Sequence, residues 1–171
     1  MMFIATKDTK IIAIHELEWQ CRRNAKGISK PEYWTWLESI TTEGVSDYSG
    51  EDYEIIETEV DVQGFEQSGY ITMSYVGKKI SYHLKWDASK KEVVKDDTAK
   101  AAYDLAEEWK RIRAERTRLL AETDWVVIKA RENGGQVPAA WKTYRVALRD
   151  IPSEQSDKTK YSEITWPTKP E

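Results

Sequence analysis

The chain of 171 residues carries 26 Lys and Arg residues against 30 Asp and Glu residues, which gives a net charge of −4 at neutral pH. This mildly acidic balance does not suit a nucleic-acid-binding protein, and no apolar run approaches the roughly 20 residues of a membrane span. No signal peptide is evident, and the single cysteine, Cys21, cannot form an internal disulfide. We expect a soluble protein of a reducing cytoplasm.

The aromatic composition is unusual, with eight Trp and nine Tyr residues but only two Phe residues. Trp and Tyr combine a large apolar body with a polar group and are favoured where a surface is buried against a partner. Small domains also use them to build a core from few residues. Composition alone leaves both interpretations open.

Two elements are predicted in the first 42 residues. Residues 2–15 contain two apolar runs around the polar turn 7–10, which predicts a β-hairpin. Residues 29–42 predict a helix, with Ser29 as its N-cap and Pro31 in its first turn. The large apolar residues of this helix recur at spacings of three and four and share one face, with Trp34 off the stripe: Tyr33, Trp36, Leu37 and Ile40.

The next segment is acidic and then rich in β-strand signals. Residues 43–61 contain eight Asp and Glu residues and no Lys or Arg, and 53–60 has some strand character. The side chains of residues 69–86 alternate with a period of two residues on both sides of Gly77-Lys78, which predicts a second hairpin. The N-terminal part is therefore expected to be rich in β-structure.

A long helix is predicted from about residue 97 to 122, because the segment contains strong helix formers and neither Gly nor Pro. Its apolar positions follow a heptad spacing with one arginine in the seam: Ala102, Leu105, Trp109, Ile112, Arg116 and Leu119. Such a stripe either lies on its own domain or docks against a partner or another copy.

After the breaker Asn133-Gly134-Gly135, a short helix is predicted from about 138 to 150, ended by Pro152. The remaining residues are polar and are expected to be extended. The fold class is therefore α+β: N-terminal antiparallel β-hairpins with one helix, then a long helix and a short helix. We divide the chain into a β-rich domain (1–95), a helical domain (96–152) and a tail (153–171).

No catalytic, cofactor or metal site is predicted. His15-Glu16 begins like the HExxH motif of zinc proteases, but position 19 is Trp. Phosphate-binding and nucleophile-elbow glycine motifs are missing. The basic stretch 107–118 is interrupted by glutamates, which favours a mixed-charge helix face over nucleic-acid binding. A two-carboxylate hydrolase stays open, because such a pair need not be local in sequence.

The C-terminal third resembles a known family. The runs R-A-E-R-T-R-L-L-A-E-T-D-W (113–125) and W-K-T-Y-R-V-A-L-R-D-I-P (141–152), followed by a late W-P, are similar to the phage tail assembly chaperone-like domain of tail-fibre assembly proteins. The matching residues are Arg113, Arg116, Leu119, Leu120, Thr123, Asp124, Trp125, Trp141, Tyr144, Arg145, Leu148, Arg149, Asp150, Ile151, Pro152, Trp166 and Pro167. The first 95 residues show no comparable resemblance.

The resemblance implies a non-enzymatic protein that binds a phage tail fibre protein in the host cytoplasm and assists its folding or attachment. The alternatives are a permanent structural subunit of the virion tail fibre or baseplate, self-association through the 97–122 helix, and an unrecognised enzyme. The expected partner-binding residues are Trp109, Arg116, Asp124, Trp125, Trp141, Tyr144, Arg145, Arg149 and Asp150.

Four of these residues also have a purely structural interpretation. Trp125 and Trp141 could close a small helical hairpin, and for them we favour a core position. Arg145 and Arg149 lie four residues apart on one helix face, and for them we favour surface contacts with a partner.

Overall fold

The computed structural model describes residues 1–73 and 80–171, which divide into two compact units, Met1–Lys100 and Ala101–Glu171. The first unit is built on an antiparallel sheet and the second is helical, so the predicted α+β class is confirmed. The turn Gly77-Lys78 of the predicted second hairpin lies outside the described residues.

The first unit centres on a five-stranded antiparallel sheet with the order β5-β1-β2-β8-β9. Its elements are β1 (Met2–Lys7), β2 (Lys10–His15), α1 (Glu18–Lys26), α2 (Lys30–Ile40), β3 (Thr41–Thr42), β4 (Val45–Ser46), β5 (Glu54–Thr58), α3 (Val62–Gln67), β6 (Ile71–Met73), β7 (Ile80–Tyr82), β8 (Leu84–Asp87) and β9 (Glu92–Lys95). The pairs β3–β4 and β6–β7 form separate two-stranded sheets.

The hairpin predicted over 2–15 is confirmed as β1 and β2. Its two turn residues, Asp8 and Thr9, both have positive φ (49° and 68°), the backbone twist that two-residue hairpin loops favour. A bulge shifts the register beyond Ala5, so Ile11 and Ile14 contribute to the same core although they are three residues apart. Each face of the sheet therefore receives apolar side chains.

The predicted helix 29–42 is confirmed as α2. The Ser29 hydroxyl accepts from the Glu32 N–H, and the Glu32 carboxylate accepts from the Ser29 N–H, which completes a capping box. Tyr33 is buried, while Trp34 is 40 % exposed, as its position off the stripe predicted. Two other helices, α1 and α3, were not predicted; α1 buries only Cys21 and so shows no apolar stripe.

The second unit is a small helical core. The chain enters it along α4 (Asp97–Ala121), which begins in the first unit, and continues through α5 (Asp124–Glu132), α6 (Ala139–Glu154) and a short 3-10 helix (Tyr161–Glu163). The core consists of Ile112, Tyr144, Leu148, Ile151 and Ile164, with Trp109, Leu119, Trp141 and Trp166 packed against it.

Two details of this unit differ from expectation. Pro152 does not end α6, which continues to Glu154, because a proline in the last turn removes only one backbone hydrogen bond. The segment expected as an extended tail contains the end of α6 and the 3-10 helix, and it buries Ile164 in the core. Apolar contacts explain why the polar segment is held in place.

None of the helices in the two described ranges combines the length and the apolar composition that a membrane crossing requires.

Candidate partner-binding surface

A buried arginine fixes the corner between α4 and α5. Arg145, on α6, donates from Nη1 to the Leu120 carbonyl (2.9 Å) and to Thr123 Oγ1 (2.5 Å). Its Nη2 donates to Asp124 Oδ1 at 2.7 Å. Thr123 is fully buried, whereas the Asp124 side chain is 59 % exposed. A single guanidinium thus joins the end of α4, the start of α5 and the middle of α6.

A row of aromatic rings leads outward from the core beside this corner. Trp141 contacts Tyr144 and Trp125 edge to face, with ring centroids 6.2 Å apart in both pairs. Tyr144 is buried, and its burial raises the pKa of its phenol. Trp125 is 54 % exposed at the other end of the row. The exposed Trp125 ring is therefore connected to the buried Tyr144 ring through Trp141.

We define the Trp125 surface as Trp125, which is the exposed end of this row, together with the exposed Ile128 and the half-buried Trp141. Ile128 follows Trp125 by three residues on α5, so the two share a helix face, and it is 55 % exposed. The Lys129 ammonium lies 5.8 Å from the Trp125 ring centroid. Large apolar side chains held at a surface with a cation at the border are typical of protein-binding sites.

Two of the structural expectations for this region are wrong. Arg145 is only 8 % exposed, because its guanidinium binds three acceptors within the unit rather than lying on the surface. Trp125 is exposed rather than in the core, because α5 buries Val126 and turns Trp125 outward. Trp141 is half-buried against the core.

The other predicted residues are distributed around the unit. Trp109 packs against the core, with the Arg113 guanidinium 5.7 Å from its ring centroid. Arg149 is exposed, and Arg116 and Asp150 are half-buried. Within the described residues, Nε of Arg116 is buried and makes no hydrogen bond. Partner binding by these residues stays a prediction.

The first unit contains a second, largely buried arginine that no sequence pattern had indicated. Arg22 donates to the Glu51 carboxylate, which also accepts from the Tyr53 hydroxyl, and the Glu51 side chain is 3 % exposed. Burial, together with Glu51, raises the pKa of Tyr53. Arg22 also donates from Nε to Glu18 at 2.9 Å. Glu51 belongs to the acidic segment 43–61, yet its side chain lies inside the unit.

The aromatic residues of α1 and α2 pack mainly on one another. Arg22 lies 3.8 Å from the Tyr48 ring centroid and Lys26 lies 3.9 Å from that of Trp36, so cations cover two of the ring faces. The cluster consists of Trp19, Tyr33, Trp34, Trp36 and Tyr48. The sequence signal for it was the Trp- and Tyr-rich stripe of α2.

The side chains of His15, Cys21 and His83 are each held by their surroundings within the first unit. His83 is buried with Nε2 3.3 Å from Thr72 Oγ1, and His15 Nδ1 accepts from the Leu17 N–H at 3.0 Å. Burial raises the pKa of the Cys21 thiol to about 12, which keeps it protonated at neutral pH. Within residues 1–73 and 80–171, no three His, Cys, Asp or Glu side chains converge as a metal site would require.

Neither the curated proteins nor the solved structures compared with this chain gave a match. The family model described as phage tail assembly chaperone protein matches residues 109–171, which run from the middle of α4 to the C-terminus and include the whole Trp125 surface. The match covers just over a third of the chain. The resemblance is therefore confirmed for this segment: residues 109–171 carry the sequence pattern of the phage tail assembly chaperone protein family.

Proposed function

We propose that this protein is a tail-fibre assembly chaperone, which binds a phage tail fibre protein in the host cytoplasm and assists its folding or attachment. The family match over 109–171 carries the proposal, because this segment contains the Trp125 surface. The role is one of binding rather than catalysis. Tail fibres are long and rich in β-structure, so they fold slowly through non-local pairing and expose apolar surface meanwhile.

The geometry of the second unit suits such binding. Arg145 holds the corner from which α5 starts, so Trp125 is presented from a fixed backbone rather than from a mobile loop. A binding residue that is already ordered loses less entropy when the partner arrives. Trp is also the residue type most enriched at binding hot spots. The Trp125 surface is therefore the part of the protein that we expect to contact the fibre.

Co-expression with the fibre gene of the same phage tests the proposal. The wild-type chain is expected to raise the yield of soluble fibre trimer and to co-purify with the fibre during its assembly. Trp125→Ala is expected to weaken fibre binding by about 2 kcal/mol, roughly thirtyfold, because it removes a central anchor. Binding is measured by isothermal titration calorimetry or by surface plasmon resonance with immobilised fibre.

Trp34→Ala is the matched control, because it removes another partly exposed tryptophan, 40 % exposed and on the first unit. We expect it to leave fibre binding unchanged. An equal fibre yield with and without the wild-type chain would show that the protein is not a fibre chaperone. Loss of binding with Trp34→Ala but not with Trp125→Ala would show that the Trp125 surface is not the contact.

Mass spectrometry of purified particles separates a transient helper from a permanent subunit. A helper is absent from finished virions, whereas a subunit of the fibre or baseplate is present in fixed proportion to the fibre protein. We expect absence.

A further inference from the structure

The strand β5 ends the five-stranded sheet on one side. It pairs with β1 through residues 54–58, and no other described strand pairs with its outer edge. The outer edge of such a strand presents backbone N–H and C=O groups that can pair with a further strand. The sheet is therefore open to extension at β5.

The side chains along this edge have a distinct charge pattern. The register with β1 places Glu54, Ile56 and Thr58 on one face of the sheet, and Ile55 and Glu57 on the other. Ile55 and Ile56 are half-buried and both glutamates are exposed. Each face thus offers one apolar position beside one negative charge.

This pattern selects among the strands that could pair with β5. Pairing residues 54–57 with the same residues of a second copy of β5 places glutamate opposite glutamate in either direction, and like charges on neighbouring strands are destabilising. The other edge strand, β9, reads Glu92-Val93-Val94-Lys95. Pairing it with β5 in four-residue register sets Lys95 against one of the two glutamates of β5 and Glu92 against the other, so one repulsive pair is left in either direction. A strand with basic residues at both positions and apolar residues between them meets no such conflict.

We propose that the outer edge of β5 binds an extended basic segment by strand addition, with backbone hydrogen bonds along the edge and Lys or Arg side chains beside Glu54 and Glu57. That this segment belongs to the incompletely folded fibre rests on the proposed function. A chaperone that lends a temporary edge to an unpaired strand prevents that strand from pairing with the wrong one. The glutamates make the edge selective.

The binding step can be measured with the full chain and defined peptides. The probe is a fluorescent peptide with the core Thr-Lys-Val-Val-Lys, followed by anisotropy. Its first control has Glu in place of Lys, and its second has N-methyl groups on alternate amides, which remove backbone hydrogen bonds without changing the charge. We expect the first peptide to bind and both controls to fail.

The matching protein variant is Glu54→Lys combined with Glu57→Lys, two exposed positions. We expect it to weaken binding of the basic peptide about tenfold or more and to accept the acidic peptide instead, because two attractive cross-strand pairs become repulsive. Glu16→Lys combined with Glu38→Lys, two exposed positions away from β5, is the control with the same change in net charge and is expected to leave peptide binding unaltered. Circular dichroism verifies that each variant is folded.

Three outcomes would overturn the inference. Equal binding of the N-methylated peptide would show attraction by charge without strand addition. Equal weakening of peptide binding by Glu16→Lys combined with Glu38→Lys would place the effect in the overall charge. No binding of the basic peptide would show that the glutamates serve only to protect the edge.

The fibre co-expression experiment keeps the two proposals apart. If the wild-type chain raises fibre yield and the variant with both Glu54→Lys and Glu57→Lys does so equally, the strand-addition inference is wrong and the chaperone function stands. If the peptide binds as expected but the wild-type chain has no effect on the fibre, the proposed function is wrong and β5 binds a basic strand of another protein.

Discussion

Each unit of this protein contains an arginine that is largely buried and paired with a carboxylate, but the two carboxylates differ in their exposure. Arg22 and Arg145 are equally buried, with side chains 11 % and 10 % exposed. Arg22 pairs with Glu51, 3 % exposed, as well as with the more exposed Glu18, whereas the carboxylate paired with Arg145 is Asp124, 59 % exposed. The difference is therefore in the solvation of the partner and not in that of the arginine.

The comparison indicates which unit loses more stability when its arginine is replaced. Removing Arg22 leaves a carboxylate that water hardly reaches, and an unpaired buried charge is strongly unfavourable. Removing Arg145 leaves a carboxylate that is already hydrated, together with two neutral acceptors, the Leu120 carbonyl and the Thr123 hydroxyl. The first contact is therefore essential for its unit, and the second mainly fixes the position of a corner.

The largest expected effect follows from breaking the buried pair. Arg22→Met is expected to lower the free energy of unfolding of the first unit by about 3–5 kcal/mol, because Glu51 becomes an uncompensated buried charge. Urea unfolding followed by tryptophan fluorescence measures the change. The double variant Arg22→Met, Glu51→Met removes both charges and is expected to recover most of the loss. A double variant as unstable as the single one would show that Glu51 does not cause the loss.

The corresponding change in the second unit is expected to be smaller. Arg145→Met removes the donor for three acceptors, of which the buried Thr123 hydroxyl and the Leu120 carbonyl lose most. We expect a loss of about 2–3 kcal/mol by the same urea measurement. Asp124→Asn, which removes the charge but keeps an acceptor, is the control and is expected to change the free energy of unfolding far less. A loss with Arg145→Met equal to that with Arg22→Met would contradict the solvation argument.

The elements that the sequence predicts and those that it does not differ in the strength of their local signals. Strong local signals predicted the hairpin 2–15, the capped helix α2, the long helix α4 and the position of α6. The bulge in β2 and the helix α1 were missed, because their positions depend on packing across the sheet and not on an apolar period. Local patterns therefore identify elements better than they identify how the elements meet.

The candidate site was predictable as a set of residues but not in its arrangement. The Trp- and Arg-rich pattern identified Trp125 and Arg145. It predicted the arginine at the surface and the tryptophan in the core, and the structure has the reverse. Which one lies inside depends on where α5 begins, and α5 has no side-chain cap that would have marked its start. Glu51 was likewise hidden in an acidic run, because only the tertiary fold brings Arg22, 29 residues away, to its carboxylate.

The two units should also respond differently to alkaline pH. Burial raises the pKa of Cys21 from an ordinary 9.0 and that of Tyr33 from an ordinary 10.0, both to about 12. The unfolded chain then loses protons that the folded unit retains, so folding stability is full below pH 9 and falls as the pH rises toward 12. Each such group contributes a slope of up to about 1.4 kcal/mol per pH unit.

Hydrogen exchange measured by mass spectrometry between pH 8 and pH 11, corrected for the intrinsic exchange rate, resolves the two units. We expect peptides of β1 and α1 to lose protection before those of α6, where only Tyr144 has a raised pKa. Cys21→Ala is expected to move the onset of the loss in the first unit from about pH 9 to about pH 10, the ordinary value of the tyrosine. An unchanged onset would show that the thiol is not responsible.

The smallest expected effect concerns how each unit starts a helix. The α2 helix begins with the capping box of Ser29 and Glu32, whereas α6 follows the N-cap residue Pro138, has no side-chain cap and depends on its core contacts. Ser29→Ala is expected to lower the free energy of unfolding of the first unit by about 1 kcal/mol. Ser39→Ala in the same helix removes a hydroxyl that donates to the Trp36 carbonyl one turn earlier, and it is expected to be neutral.

The pH dependence of this effect distinguishes the cap from simple helix propensity. The hydrogen bonds from Ser29 hold the pKa of Glu32 below its ordinary value of 4.5. The carboxylate half of the box therefore stabilises α2 above pH 4.5, and its contribution is lost as the pH falls through the lowered pKa. The difference between wild type and Ser29→Ala should shrink in acid, while the Ser39→Ala difference stays constant. A Ser29→Ala difference that is independent of pH would show that the two halves of the box are not coupled, and α2 would then resemble α6 in depending on its packing alone.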